Sequence, residues 1–334
     1  MTTILTLGES LVRLSTQKGN RLSNATKLNL YYGGAEANVA INLSQLDYDV
    51  KYATKLPINN GLSKSIINEL QGYRVDCSNV LYGEGRLGSY FLEVGTGLRP
   101  TNIIYDRQYS TIAMMESIEW DLDKLFENVS VLHITGITLA ISKQWQKIGP
   151  MIIKEAKNRN IKISFDMNYR QTMWSYEEAK EVYKKVLPYV DYLSASDLDA
   201  IYFMDIPRID SLDWQYYSKY IGEKYPNIEY IYGTNRVLIT PNSYDMNGYI
   251  WDVKRSQGVL SKQYKNYTVV DRVGTGDSYA AGVLDGILSK KSLEETVNFA
   301  IAASALKHTV HGDINPFNRL EIEDFMNNTA NIVR

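Results

Sequence analysis

The sequence predicts an α/β fold: a mostly parallel central sheet covered by helices on both faces, with a small separate β-sheet beside it. Two observations predict the body. Short β-branched runs alternate with longer runs of helical periodicity, and no internal repeat or low-complexity linker interrupts them. A third observation predicts the appendage: two segments leave this rhythm for extended, strand-like sequence.

The elements follow in order. "TILTLG" (3–8) reads as a first strand ending in Gly8. Residues 11–33 are strand-like and lack helical periodicity. "AEANVAINLSQL" (35–46) places Val39, Leu43 and Leu46 about one turn apart, which predicts a helix. "VKYATKL" (50–56) is a strand, and "LSKSIINELQGY" (62–73) a helix with Gly72 as its stop signal. "GSYFLEVGTGLRPTNIIYDR" (88–107) reads as two extended runs joined by a Gly/Pro turn. Residues 130–136, 162–168, 190–196 and 228–234 are further strands. Residues 142–160 and 175–187 are helices between them. The long helix 293–310 opens with Ser292 and Glu295 at capping-box spacing. The two strand-like excursions, about 11–33 and 86–112, are expected to form a lid over the ends of the parallel strands.

Bulk properties exclude several classes. The chain has 334 residues, 44% of them hydrophobic, enough for a substantial core. A net charge of −2 with no run of five like charges offers no footprint for nucleic acid or an anionic membrane. No apolar run has the length of a membrane span. "MTTILTLGES" lacks the basic-then-apolar pattern of a secretory signal, and Cys77, the single cysteine, has no disulfide partner in the chain. A cytoplasmic location is the expectation.

The chemistry concentrates in "DRVGTGDSYAAGVLDG" (271–286). Gly274-Thr275-Gly276 lead into Asp277, and an apolar run at helical spacing follows. A helix N-terminus offers unpaired N–H groups and a partial positive charge, and glycines let an anion come close to the backbone. A carboxylate beside such an anion hole repels phosphate unless it has a task; taking a proton from an attacking hydroxyl is one. The helix end is expected to keep that carboxylate ionised near neutral pH. On local pattern alone, Asp277 reads more readily as a helix cap after a flexible turn, since Gly-rich turns before helices are common. The stretch is not a Walker A loop. "GEGRLG" (83–88) fits a dinucleotide-binding pattern, but extended sequence rather than a helix follows it.

"DRVGTGDSYAAG" resembles the C-terminal signature of the ribokinase-like (PfkB) sugar kinases, and "YYGGAEANVAINLSQL" resembles their N-terminal signature. The resemblance covers nearly the whole chain. It implies one domain over 1–334, a ribokinase-like three-layer αβα sandwich with a β-sheet lid. "GRLGSYFLEVGTGLRPTNIIYDR", "HITGITLAIS", "FDMNYRQTMWS" and "HTVHGDIN" look more narrowly like 2-keto-3-deoxygluconate kinases. Those enzymes use ATP and Mg2+ to phosphorylate a keto-acid sugar at its terminal hydroxyl. The lid often mediates their dimerisation, which implies a homo-oligomer here.

The resemblance assigns roles. Asp277 becomes the catalytic base, with Gly274, Thr275 and Gly276 holding the transferring phosphoryl group through their N–H groups. Gly34, Ala35, Glu36, Ala37 and Asn38 form the sugar loop, where Asn38 supplies both a donor and an acceptor. Tyr90, Tyr105 and Arg107 lie on the lid and face the sugar acid; Tyr105 and Arg107, two apart, share a face. The planar fork of Arg170 suits a carboxylate or phosphate. Asp313 matches a substrate-contacting acid. Asn168 and Arg170 are candidates for the nucleotide phosphates, and Ile231, Tyr232, Gly233, Thr234, Asn235 and Arg236 form a nucleotide region. No protein metal-ligand set is expected.

Two departures stand out. "SDLD" (196–199) occupies the place of an Asn-x-x-Glu motif, and "GTNR" (233–236) has Arg236 where the family often has glycine. They keep a second class of function open, a sugar-binding sensor without catalysis; the intact "GTGD" argues against it. Another family kinase, such as a fructokinase, is the nearer alternative. His133, His308 and His311 show no ligand spacing and read as structural, as do Trp145 and Trp174; Cys77 reads as inert.

Overall fold

A computed structural model describes residues 2–210, 213–240 and 243–327. In the first half, strands β1 (Thr3–Leu7), β2 (Leu11–Ser15) and β3 (Asn29–Gly33) precede helix α1 (Ala35–Gln45). Then come β4 (Asp49–Pro57), α2 (Gly61–Gly72), β5 (Val80–Gly83), β6 (Gly88–Glu93) and β7 (Asn102–Asp106). A short α3 (Leu122–Leu125) leads to β8 (Val129–Thr135), α4 (Gly136–Leu139) and α5 (Trp145–Asn158). The second half holds β9 (Lys162–Asp166), α6 (Tyr176–Val186), β10 (Tyr192–Ser194), α7 (Asp197–Phe203) and α8 (Trp214–Lys224). It ends with β11 (Tyr230–Thr240), β12 (Ser243–Asp252), β13 (Gln257–Leu260), β14 (Tyr264–Thr268), α9 (Thr275–Leu288), α10 (Leu293–Lys307) and α11 (Arg319–Asn327).

The main sheet runs β13-β12-β11-β10-β9-β8-β1-β4-β5, with β14 on β12. From β5 to β11 every neighbour is parallel. The middle strands are apolar on both faces, as helices on both sides require: Ile4, Leu5, Leu7, Leu132, Ile134, Ile163 and Phe165 are wholly buried. Two apolar clusters cover the two faces. One gathers Trp145, Ile152, Phe165 and Tyr183; the other gathers Val39, Leu43, Val283 and Ile301.

Local chemistry sets the helix ends. Ser175 with Glu178, and Ser292 with Glu295, form reciprocal capping boxes at the starts of α6 and α10. The predicted elements are present, with ends shifted by a few residues. "GEGRLG" lies between β5 and β6, with no helix after it. The predicted strand at 228–234 runs on to Thr240, and an antiparallel extension, β11–β12 with β13 and β14, fills the region after it, for which the sequence suggested no element.

The lid is a separate four-stranded sheet, β3-β2-β6-β7, built from both excursions. Its central pair β2–β6 is parallel and its outer pairs are antiparallel. Strand register aligns Tyr31, Arg13, Tyr90 and Tyr105 in one cross-strand row, and Leu30, Leu14, Phe91 and Ile104 in the next, on the opposite face.

Candidate active site

A cavity of about 980 Å³ opens between the lid and the carboxyl ends of the parallel strands. Its walls include Glu9 after β1, Ile137 after β8, Asp166 ending β9, Ser194 ending β10 and Gly233 in β11. In a parallel sheet these ends gather the helix N-termini, whose N–H groups suit anions. Helices α1 and α9 pack side by side and both begin at the cavity.

Gly274 caps α9 in the left-handed region at φ 81°, and a Cβ there would lie 1.9 Å from the Asp313 carbonyl oxygen. Only glycine lets the turn deliver Thr275, Gly276 and Asp277 to the cavity. Gly34 caps α1 at φ 150°, where a Cβ would meet the Glu9 carbonyl oxygen at 2.2 Å.

Asn38 of α1 donates from Nδ2 to Asp277 Oδ2 at 2.7 Å. The Asn38 Oδ1 is buried and finds no hydrogen-bond partner among the described residues. Enclosure of the Asp277 carboxyl pushes its pKa up to about 7, with Asn38 pulling it down and Asp166, Glu36 and Asp313 adding repulsion. The expectation that the helix end keeps Asp277 ionised near neutral pH is met only in part: burial brings its pKa to about 7, so both forms are present there.

The other predicted residues divide. Gly34, Ala35, Tyr90, Tyr105, Asn168, Arg170, Gly233, Thr234, Arg236 and Gly274–Gly276 line the cavity. Ala37, Ile231 and Tyr232 do not; their side chains pack in the core, because helix and strand periodicity turn them inward. Asn235 faces across the hairpin and donates to Asn247 Oδ1 at 3.1 Å. Glu36 is buried, and its Oε1 accepts from the Thr135 N–H at 2.9 Å, Thr135 Oγ1 at 2.8 Å and Thr138 Oγ1 at 2.6 Å. Its carboxyl ties α1 to the end of β8.

Two predicted ligand-binding groups are already engaged. Arg107 is buried in a fork with Glu9, donating from both Nε (2.8 Å) and Nη2 to Oε2. Asp313 accepts from Arg13 Nη1 at 2.9 Å and from the Tyr90 hydroxyl at 2.5 Å. By contrast, Arg170, Arg236 and Arg272 line the cavity and make no salt bridge among the described residues, although Arg170 lies near enough to Asp166 and Asp199 to favour their ionised forms. Burial and the neighbouring charges of Arg272 and Arg170 lower the pKa of Arg236. Three guanidinium groups without a salt bridge in one cavity suit a multiply charged anion.

Glu9, Arg13, Asp166, Asp271 and Arg272 were not singled out from sequence. Glu9 and Asp166 do sit at strand ends, a signal that places them at the cavity. Arg13 pairs with Asp271 and Asp313, far along the chain, which no local pattern reveals.

Among the described residues no group of three metal-ligating side chains forms a preformed metal site. Asp166 and Asp199 nevertheless line the cavity together. Burial, with the repulsion of Asp199, pushes Asp166 up to about 6, and burial also raises Asp199. Such a pair fits Mg2+, which uses one or two carboxylates, nucleotide phosphates and retained water. Ser196 and Asp199 form a capping box on α7, so the departure "SDLD" keeps a carboxylate at the cavity wall.

The pfkB family carbohydrate kinase model matches residues 1–213 and 243–319. This chain belongs to the pfkB family of carbohydrate kinases. The kinase is 45% identical to a PfkB family carbohydrate kinase from Listeria grayi, over 98% of this chain and all of that one, with a TM-score of 0.93. It is 32% identical to the 2-dehydro-3-deoxygluconokinase of Thermotoga maritima, over 98% of this chain and all of that one, also with a TM-score of 0.93. A 2-dehydro-3-deoxygalactonokinase from Haloferax volcanii is 28% identical over 93% of this chain and 92% of its own length. The kinase thus has the ribokinase-like fold and is an ATP-dependent sugar kinase. The family match omits 214–242, the stretch that carries the departing "GTNR".

The remaining expectations concern packing. His133 and His308 are buried, and burial holds both near pKa 4, neutral at physiological pH. Trp145 is wholly buried, donating to the Ile112 carbonyl at 2.8 Å, and Trp174 is buried in the same cluster. Burial pushes the Cys77 thiol up to about 11, so little reactive thiolate exists at neutral pH. No helix among the described residues is long and apolar enough to cross a membrane.

Proposed function

We propose that this kinase transfers the γ-phosphoryl group of ATP to the terminal hydroxyl of 2-keto-3-deoxygluconate. The observation that carries the chemistry is Asp277, enclosed beside the anion hole, where burial raises its pKa to about 7 against the pull of Asn38. Asp277 takes the hydroxyl proton as the oxygen forms its bond to γ-phosphorus. The bond from γ-phosphorus to the bridging oxygen breaks, and ADP leaves with that oxygen's electron pair. The N–H groups at Gly274–Gly276 hold the phosphoryl oxygens, and Arg236 and Arg272 hold the remaining phosphates. Asp166 and Asp199 are the residues that would hold Mg2+, which would supply neutralisation of phosphate charge.

The keto-acid reading rests on Arg170. It is exposed at the cavity and makes no salt bridge among the described residues, which leaves its fork open to a substrate carboxylate. Arg107 contributes only the edge of its fork that Glu9 leaves free. Tyr90, Tyr105 and Asp313 line the sugar end. The outer lid row, with Leu30 44% and Ile104 50% exposed, supports pairing of two copies through the lid. The composition supports a cytoplasmic location.

The test is ATP-dependent phosphorylation across 2-keto-3-deoxygluconate, its galactonate epimer, fructose and ribose, with Asp277→Asn alongside. Turnover confined to the gluconate acid, lost in the variant, is the expected result. Preference for the galactonate epimer or for a neutral sugar overturns the substrate assignment. Sugar binding without any turnover favours the sensor reading.

A further inference from the structure

Arg13 lies in the middle of lid strand β2, yet only 1% of it is exposed. Its guanidinium reaches out of the lid to two carboxylates of the main body. Nη2 donates to Asp271 Oδ2 at 2.5 Å and Nη1 to Asp313 Oδ1 at 2.9 Å. Both acids shape the anion hole. Asp271 Oδ1 accepts from the Val273 N–H at 3.1 Å, and its Oδ2 accepts from the Gly312 N–H at 3.1 Å. Asp313 presses its carbonyl oxygen against Gly274, and the second oxygen of its carboxylate holds Tyr90 on lid strand β6. One lid side chain therefore grips both segments that set the Gly274 turn.

We propose that Arg13 is a positioning residue that couples the lid to the anion hole, so that sugar and nucleotide strengthen each other's binding. The inference rests on the cavity holding a sugar under the lid and ATP at the Gly274 turn. A sugar under the lid fixes β2 and β6, and through Arg13 and Tyr90 it fixes Asp271 and Asp313. These brace the turn whose amides, at Gly274–Gly276, would receive the phosphates. Phosphate at the turn works back along the same contacts, because coupling between two sites is reciprocal.

The pairing is well suited to this task. Arg13 bridges two acids with two nitrogens, which an ammonium cannot reproduce in the same plane. Its Nε is buried and has no hydrogen-bond partner among the described residues, so these two contacts and the Tyr31 ring, 5.2 Å away, hold the side chain. The buried Lys307, whose Cε would lie 3.4 Å from a Cβ on Gly274, adds a second positive charge behind the turn. Asp271 and Asp313 balance those two cations, and Asp277 keeps its own role.

The experiment measures the dissociation constant of a non-hydrolysable ATP analogue with Mg2+, alone and with saturating sugar, by titration calorimetry. The sugar is whichever member of the substrate panel the wild type turns over, so failure of the keto-acid assignment leaves the test intact. Wild type is expected to bind the analogue about tenfold more tightly with sugar present. Arg13→Lys and Arg13→Met are expected to reduce that factor to about one. Folded variants that keep the wild-type factor, or a wild type with none, overturn the proposal. Should both variants fail to fold, wild type alone supplies the readout: the analogue without sugar is expected to slow amide hydrogen exchange across Leu11–Ser15. Unchanged exchange there overturns the proposal.

Discussion

Asn38 and Asp277, on the first turns of α1 and α9, meet through a 2.7 Å hydrogen bond that joins the N-terminal and C-terminal signatures of the chain. Neither residue is poised for proton transfer alone. Asp277 is enclosed enough to raise its pKa, and Asn38 limits that rise.

Replacing Asp277 with Asn keeps the shape and removes the base. We expect kcat to fall by about 10²- to 10⁴-fold while the KM for sugar changes little. Steady-state kinetics against the preferred sugar checks this.

The same substitution has an opposite effect on stability. The folded-state pKa of Asp277, about 7, lies above the ~3.9 of an unfolded aspartate. Stability from this group is present below pH ~4 and lost as pH rises through about 7, because the folded state then gives up a proton that it holds more tightly. Asp277→Asn is therefore expected to raise the melting temperature relative to wild type at pH 8 and to narrow that gain at pH 5. Thermal melts across pH measure it.

Activity should follow the ionised base. The kcat/KM for sugar is expected to rise with pH to a plateau above about 7. Asn38→Leu removes the hydrogen bond that favours the carboxylate, so the midpoint should move to higher pH. A pH–rate profile of both proteins shows the direction.

Arg170→Met removes the unpaired guanidinium. We expect kcat/KM for a keto acid to fall by about 10- to 100-fold, and that for any neutral sugar to fall much less. The ratio of the two, rather than either value, decides the acid-recognition assignment.

Gly274→Ala places a methyl group where the Asp313 carbonyl now sits and asks alanine to hold φ 81°. The backbone conformation alone costs about 1–3 kcal/mol, and the clash adds to it. Urea denaturation should show lower stability, with activity lost from the folded fraction.

Much of this molecule was legible in the sequence. The apolar runs at 130–136 and 162–168 fix their strands because both faces of a central parallel strand are buried. Ser292 and Glu295 announce α10, because a capping box is a contact between residues three apart. Extended runs at 88–107 separated the lid from the body. The strands after Thr240 were not legible. Their pattern alternates only weakly, and antiparallel pairing holds them, β12 on β11 and both β13 and β14 on β12.

The site divides along the same line. Gly274-Thr275-Gly276-Asp277 and the 34–38 loop declare themselves, since glycines and a carboxylate at a helix start are local features with local causes. The state of each side chain was not local. Arg107 reads from sequence as free to bind an acid, and Glu9 occupies it. Glu36 reads as part of the sugar loop; it does line the cavity, and its carboxylate is held by Thr135 and Thr138.

By itself, then, the sequence determined the order of strands and helices, the two turns that open α1 and α9, and the kind of chemistry those turns serve. Periodicity, capping and glycine conformation act over a few residues, so they can be read along the chain. Tertiary structure decided which charges are neutralised and which remain for a ligand, and how strongly Asp277 holds its proton. Those properties depend on desolvation and on carboxylates and cations that approach only after folding, as Arg13 approaches Asp271 and Asp313.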